Sequence, residues 1–205
     1  MTANKRLVFG ITGASGSGKS YISDIFRSMG VTVLDADKAG HRVCEPNGAA
    51  YDELREHFGN GYFHADGSLD RRKLAEKVFS EPRELDILNK ITHKHIKDEL
   101  LRGISACDGA AAIDGAVIIG SEAEELCGFL VGVTASENTR IKRIIKRDNI
   151  SPDAAKARIA AQPDEEFYRS HCRYIIENEN TSRDELCRRA EKILEENMPQ
   201  GENRN

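Results

Sequence analysis

The chain has 205 residues, 39% hydrophobic and 31% charged, the size of one ordinary domain with an insertion or two, and this excludes disorder as its main state. Its 30 basic and 34 acidic residues leave a net charge of -4, which disfavours general nucleic-acid binding and requires any phosphate ligand to be captured by a local site. No apolar run approaches the roughly 18 residues of a spanning helix, and Met1 to Arg6 is polar and basic rather than a secretory apolar core, so a cytoplasmic protein without a membrane partner is expected.

The opening run, Leu7 to Thr12, reads as a short buried strand, and Lys19 to Met29 carries helical spacing through Ile22, Ile25, Phe26 and Met29. Gly30 supplies a helix stop, after which Val31 to Leu34 reads as a second strand ending at Asp35-Ala36-Asp37. A βαβ unit therefore starts the protein. Strand signals then vanish between about Gly40 and Gly109. Helical patterns replace them at Tyr51, Leu54 and Phe58, at Leu74 and Val78, and along Leu88, Ile91, His95 and Leu100, which predicts a mostly helical insertion.

Short apolar runs return at Ala110 to Ile113, Val117 to Ile119 and Phe129 to Val133, each of a length suited to an interior parallel strand. Glu137 to Arg147 predicts a basic amphipathic helix, and Ser151-Pro152 an N-cap with proline at the first position of a second one. Pro163 ends that helix, Tyr174 to Ile176 is a last strand, and Ser182 with Glu185 forms a capping box that opens a final helix. The tail from Pro199 is polar and is expected to be loose. The five cysteines, Cys44, Cys107, Cys127, Cys172 and Cys187, contain no C-x-x-C pair and an odd total, which points to reduced thiols without a metal or disulfide role.

Between the first strand and the first helix, Gly13 to Ser20 fits G-x-x-x-x-G-K-[ST]. The glycines let successive N–H groups approach an anion, and the following helix adds its positive dipole end. Ala14, Ser15, Gly16, Ser17 and Gly18 would thus cradle phosphates, Lys19 would reach the β and γ groups, and Ser20 would complete the coordination of Mg²⁺. A G-x-G frame beginning at Gly16 lacks the third glycine, which rejects a dinucleotide cofactor, and no N-K-x-D follows, which favours a kinase over a guanine switch.

Two carboxylate groups are candidates for chemistry. Asp35 and Asp37 follow the second strand; alternation along an extended segment would put both on one side, one accepting a proton from an acceptor hydroxyl and the other ordering water around magnesium. The same pair also suits an ordinary turn or N-cap. Asp114, after Ala110 to Ile113, has the form of a magnesium-side carboxylate at a strand end, and equally that of a capping aspartate.

The order of these blocks resembles the dephospho-coenzyme A kinase family over nearly the whole chain, Gly10 to Leu194. The matching segments are G-I-T-G-A-S-G-S-G-K-S at 10 to 20, L-D-A-D at 34 to 37 followed by His41-Arg42-Val43, and E-P-N-G-A-A-Y at 45 to 51. D-G-S-L-D-R-R-K-L at 66 to 74, L-N-K-I-T-H at 88 to 93, K-R-I-I-K-R-D at 142 to 148 and A-R-I-A-A-Q at 157 to 162 complete the set.

The resemblance implies a P-loop NTPase-type α/β three-layer sandwich with a parallel sheet, a helical substrate-binding insertion over about 40–109 and a helical lid over about 137–170. The core would comprise about 1–39, 110–136 and 171–198. It also implies ATP-dependent phosphorylation of the ribose 3′-hydroxyl of dephospho-CoA, with Mg²⁺. On this basis Asp37 is the general base, Lys19 and Arg143 are catalytic cations, and Tyr21, Arg143 and Arg147 join the P-loop residues at ATP. Arg42, His93, Asp37 and Asp114 would face the acceptor, Arg158 and Gln162 would lie near the nucleotide, and Asp35 or Asp114 would be the metal-side carboxylate. The chain departs from the family's P-L-L-x-E pattern at Ala116 to Gly120, where the proline and the acidic residue are missing, and Lys94, Gly128 and Arg173 also differ. A kinase for another nucleoside-like or pantetheine-bearing alcohol and a non-catalytic nucleotide sensor are the alternative readings.

Overall fold

The computed structural model describes residues 6–198; Met1 to Lys5 and the tail from Pro199, including its expected looseness, lie outside the described residues. Two compact units divide the chain, one from 1–34 with 106–205 and the other from 35–105.

The first unit carries the sheet. Its strands are β1 (Val8–Thr12), β2 (Thr32–Asp35), β3 (Ala111–Asp114), β4 (Leu130–Thr134) and β5 (Tyr174–Glu177), in the spatial order β2-β3-β1-β4-β5. β1 pairs in parallel with β3 on one side and β4 on the other, and β4 pairs in parallel with β5. The chain thus leaves β1 at the centre, moves outward to the edge and crosses back. That reversal opens a crevice at the carboxyl ends of β1 and β3, where open α/β sheets bind ligands.

Strand alternation sorts the two faces. Phe9, Ile11, Val131, Val133 and Ile176 meet helices α1 (Lys19–Ser28) and α9 (Arg183–Asn197) through Ile22, Ile25, Phe26, Leu186, Ala190 and Ile193, all buried. Phe9 anchors this layer, stacked on Phe129 at 5.4 Å and edge-on to Phe26 at 5.0 Å between ring centroids. The opposite face is set by Gly10 and Gly132: a Cβ at Gly10 would meet Ile118 and Leu130, and one at Gly132 would meet Ile175 and Cys172. Cys172 directly follows a further helix, Glu165–His171, so helices flank the sheet on both sides. No helix among the described residues is long and apolar enough to cross a membrane.

The remaining helices fall into two groups. In the unit from 35–105 they are α2 (Ala36–Val43), α3 (Tyr51–Phe58), α4 (Arg71–Ser80) and α5 (Pro82–Ser105), packed around Val43, Ala50, Leu54, Leu69, Leu74 and Val78. In the sheet-bearing unit they are α6 (Glu137–Asp148), α7 (Pro152–Ala160) and α8 (Glu165–His171). Side-chain caps open most of them. Asp70 accepts from Lys73 N at 3.0 Å, Ser136 from Thr139 N at 3.3 Å, Ser151 from Ala154 N at 3.2 Å and Ser182 from Glu185 N at 3.3 Å.

Two sequence expectations are corrected. Val117 to Ile119 is not a strand: Ile118 is buried on the sheet while Val117 is 79% exposed, and the chain turns so that the Ile118 carbonyl accepts from Ser121 N at 3.0 Å. Gly120 holds φ of +76° in this turn, a left-handed conformation that glycine adopts without a side-chain clash. Second, Asp35 and Asp37 are not an alternating pair on an extended segment. Asp35 ends β2 and caps α2, its side chain accepting from Lys38 N at 2.8 Å, so Asp37 enters the first helical turn. Helix α8, within the range expected for the lid, packs against β4 and β5.

Candidate functional site

A cavity of about 550 Å³ opens beside the loop between β1 and α1, lined by Gly13 to Gly16, Gly18, Lys19, Ser20, Ala116, Arg143, Arg147 and Gln162. Local chemistry explains the loop. Gly16 and Gly18 hold φ of +81° and +94°, and Gly18 precedes the first turn of α1, whose unpaired N–H groups and positive end face the same region. Lys19 projects from that turn and forms an ion pair with Asp114, whose side chain is only 8% exposed, at the carboxyl end of β3 beside Ile11. The P-loop lysine and the strand-end carboxylate are therefore brought together, as the sequence alone could not establish.

The α6 arginines meet the loop from outside. Arg143 donates to the carbonyls of Gly16 (3.2 Å), Ser17 (3.0 Å) and Asn178 (3.0 Å). Arg140, 8% exposed, donates Nε to Ser15 O at 3.0 Å, and burial pulls its guanidinium below the usual arginine range. Gln162 Oε1 accepts both from Arg140 Nη2 at 3.1 Å and from Ser15 N at 3.0 Å. Arg147 reaches Ser15 Oγ at 3.3 Å. Asn178, 6% exposed after β5, donates Nδ2 to Ser17 O at 2.9 Å. Next to it, Glu179 accepts from Thr139 Oγ1 and Ser136 N, and these bonds hold its carboxyl below the ordinary range.

Sequence reasoning placed Arg143, Arg147 and Gln162 here but missed Arg140 and Asn178. Arg140 stands one helical step before Arg143 on the face that also bears Arg147, and that spacing was the available signal. Ser20 is exposed in the first turn of α1, and Tyr21 is 39% exposed with Arg183 5.9 Å from its ring centroid.

The other predicted residues belong to the 35–105 unit. Asp37 is exposed in the first turn of α2, and Arg42, near the end of that helix, donates Nε to Glu99 Oε1 of α5 at 2.6 Å. His93 is half-buried on α5. Asp35 serves as the helix cap described above. A Cβ at Gly40 would meet the Ile96 side chain at 3.4 Å, so α2 lies close on α5. Among the described residues no group of three or more His, Cys, Asp or Glu side chains could hold a metal on its own. Cys127 and Cys172 are pushed up to about 12 and about 11 by burial, which leaves them unreactive as thiolates near neutrality.

At the end of α6, Asp148 bridges Arg147 and Arg158 of α7, and these bonds, Arg147 first, hold its carboxyl down at about 2. A depressed carboxyl stabilises above its ordinary value and loses that contribution as pH falls through the folded one. The stability difference between the protein and Asp148→Asn is therefore expected to be constant above about pH 4 and to shrink toward pH 2. Denaturant melts of both proteins across that range check this; a difference independent of pH would show that the bridge carries no linkage.

A parallel sheet with a glycine loop, lysine, hydroxyl and strand-end aspartate at its switch point defines a P-loop nucleotide-binding protein of the kinase type. Within that class the chain belongs to the dephospho-CoA kinase family, whose model matches residues 7–184. A dephospho-CoA kinase of Chromobacterium violaceum is 37% identical over 158 residues, covering 76% of this chain and 77% of that one. A solved structure from Thermus thermophilus superposes with a TM-score of 0.80 at 29% identity, covering 95% of this chain and 98% of the other. A dephospho-CoA kinase structure from Campylobacter jejuni gives a TM-score of 0.65 at 27% identity, covering 93% and 96%. A shikimate kinase from Bacteroides thetaiotaomicron, at 14% identity and a TM-score of 0.50, shares the fold.

Proposed function

We propose the following residue roles for the reaction that family membership assigns to this chain, ATP-dependent phosphorylation of dephospho-CoA to give coenzyme A and ADP. The observation that carries them is the ion pair between Lys19 and Asp114 at the mouth of the P-loop cavity. In the resting protein Asp114 holds the lysine beside the loop; an arriving triphosphate offers a stronger anionic partner, and Lys19 moves to its β and γ oxygens. Charge spreads over the γ oxygens in the transition state, so fixed cations there speed transfer with little reorganisation. Lys19, Arg143 and Arg147 supply them, while Gly16 and Gly18 direct N–H groups at the same oxygens; the N–H groups of Ser15 and Ser17, expected to join them, are taken by Gln162 Oε1 and the Ala14 carbonyl.

Asp114 and the Ser20 hydroxyl are hard oxygen donors at this cavity, which suits Mg²⁺ carried in with the nucleotide, since that ion needs one or two protein oxygens beside phosphates and water. Bound there, Mg²⁺ would neutralise charge on the phosphate oxygens. Asp35 is spent on capping α2, so Asp114 is the better metal-side carboxylate. Asp37 accepts the proton of the ribose 3′-hydroxyl as the oxygen attacks the γ phosphorus. Arg42 and His93 contribute to acceptor binding in the 35–105 unit, and within residues 137–170 the helices α6 and α7 act as the lid. The enzyme works in the cytoplasm, on small molecules rather than nucleic acid.

Acceptor profiling tests the substrate. ADP release is expected to be at least about a hundredfold faster with dephospho-CoA than with adenosine or pantetheine, since each lacks part of the acceptor's binding groups. Equal rates with another alcohol would reject dephospho-CoA as the preferred acceptor and connect the altered Ala116 to Gly120 segment with that change.

A further inference from the structure

We infer that Arg140 and Asn178 are positioning residues that set the P-loop from behind, by gripping the carbonyl sides of the peptides whose N–H sides face the phosphates. The inference rests on the ATP-binding reading above and adds two residues that touch no phosphate in it.

A trans peptide points its N–H opposite to its C=O, so fixing one end fixes the other. Ser15 O is held by Arg140 Nε at 3.0 Å, which orients the N–H of Gly16. Ser17 O is held by Asn178 Nδ2 at 2.9 Å and Arg143 Nη1 at 3.0 Å, which orients the N–H of Gly18. Gly16 and Gly18 both line the cavity. Without these donors the two peptides could rotate, because glycine resists neither sign of φ.

The burial of the donors is otherwise unexplained. An arginine 8% exposed and an asparagine 6% exposed are costly unless their polar groups are satisfied, and here the loop carbonyls satisfy them. The loop glycines fit the same arrangement. A Cβ on Gly16 would lie 2.8 Å from Arg140 O, and one on Gly18 would collide with Asn178 Nδ2, so these positions admit the clamp only as glycine. Both donors are themselves anchored. Arg140 Nη2 bonds Gln162 at 3.1 Å, and Asn178 N bonds Thr134 O at 2.8 Å. Two charge-assisted or buried donors thus act through the backbone, where their effect appears only at the phosphates.

The test compares equilibrium binding of ATP, ADP and AMP to the full-length protein, Arg140→Leu, Arg140→Lys and Asn178→Ala, at a temperature below each melting transition. The wild type is expected to bind ADP and ATP more tightly than AMP; no such preference would reject the P-loop reading itself. Arg140→Leu and Asn178→Ala are expected to weaken ADP and ATP each by about tenfold, the scale of one buried bond to a charged or fixed group. AMP, which lacks the β phosphate, should keep its affinity. Arg140→Lys, with the charge but one point of attachment, should recover part of the loss. In turnover, KM for ATP should rise while KM for dephospho-CoA stays. Wild-type ADP affinity in both variants would overturn the inference, and so would an equal loss for AMP and ADP, since general loosening does not discriminate between them. The two sites lie on different elements, so failure of one variant to fold leaves the other decisive.

Discussion

Replacing Lys19 by alanine is expected to cut phosphoryl transfer at least about a hundredfold, the scale lost when one preorganised charge is removed from a transition state. Lys19 is placed for this by the first turn of α1 and kept at the cavity by Asp114. Its removal has two consequences. The β and γ oxygens lose one of the three cations proposed around them, and Arg143 and Arg147, which line the same cavity, already have their own places there. In addition, Asp114 keeps its buried position without its cation, which destabilises the folded protein. A thermal melt separates these effects: the variant should melt lower yet be folded at the assay temperature, with turnover still reduced. Transfer within about tenfold of the original rate in a folded variant would remove Lys19 from the mechanism.

Asp37→Asn is expected to cost at least about a hundredfold in turnover while leaving ATP affinity near normal. The amide keeps the shape of the side chain and removes its ability to take a proton. ATP affinity should persist because the phosphate-binding residues belong to the other compact unit. Asp35→Asn is the informative partner experiment. Asparagine is as good a helix cap as aspartate, so α2 should persist and turnover should fall far less. Near-normal turnover in Asp37→Asn with a large loss in Asp35→Asn would move the base two residues back, and would mean that the capping bond to Lys38 opens during catalysis.

The parts of the fold that were legible in the sequence are those whose signals are local. The first strand, the glycine loop and α1 combine an apolar run, a spaced motif and a helical pattern, and all three agree. Ser151-Pro152 and Ser182 with Glu185 gave helix starts because caps act within one turn. Val117 to Ile119 misled because β-branched residues suit a strand, yet Ile118 alone of the three is fully buried and Gly120 turns the chain. Helix α2 was hidden because an aspartate pair after a strand reads equally as an extended segment or as a cap; Ala39 and Val43, four apart and both buried, were the overlooked pattern. Helix α8 is a single short run behind Pro163, capped by Asp164 and with Tyr168 as its buried residue, too brief for a periodic signal.

The site divides in the same way. The motif named the groups that face the ligand, and the family resemblance pointed to Arg143, with Arg147 one turn further along the same basic face. Arg140 shares a helix face with Arg143 and Arg147, but that spacing did not separate a buried arginine from a solvated one, because its burial depends on carbonyls far away in the chain. Asn178 was equally silent, one polar residue after a strand, until the parallel pairing of β4 with β5 brought it behind Ser17. Backbone acceptors leave no side-chain signature, so the bonds of Arg140 and Asn178 to them show only in three dimensions.

The most direct test is mass spectrometry of the purified protein incubated with ATP, Mg²⁺ and dephospho-CoA, with Lys19→Ala in parallel. Dephospho-CoA is expected to gain one phosphoryl group and become coenzyme A as ADP appears, and the conversion to be lost in the variant. ATP bound by the wild type with dephospho-CoA left unchanged would contradict it, retaining the P-loop and rejecting the acceptor.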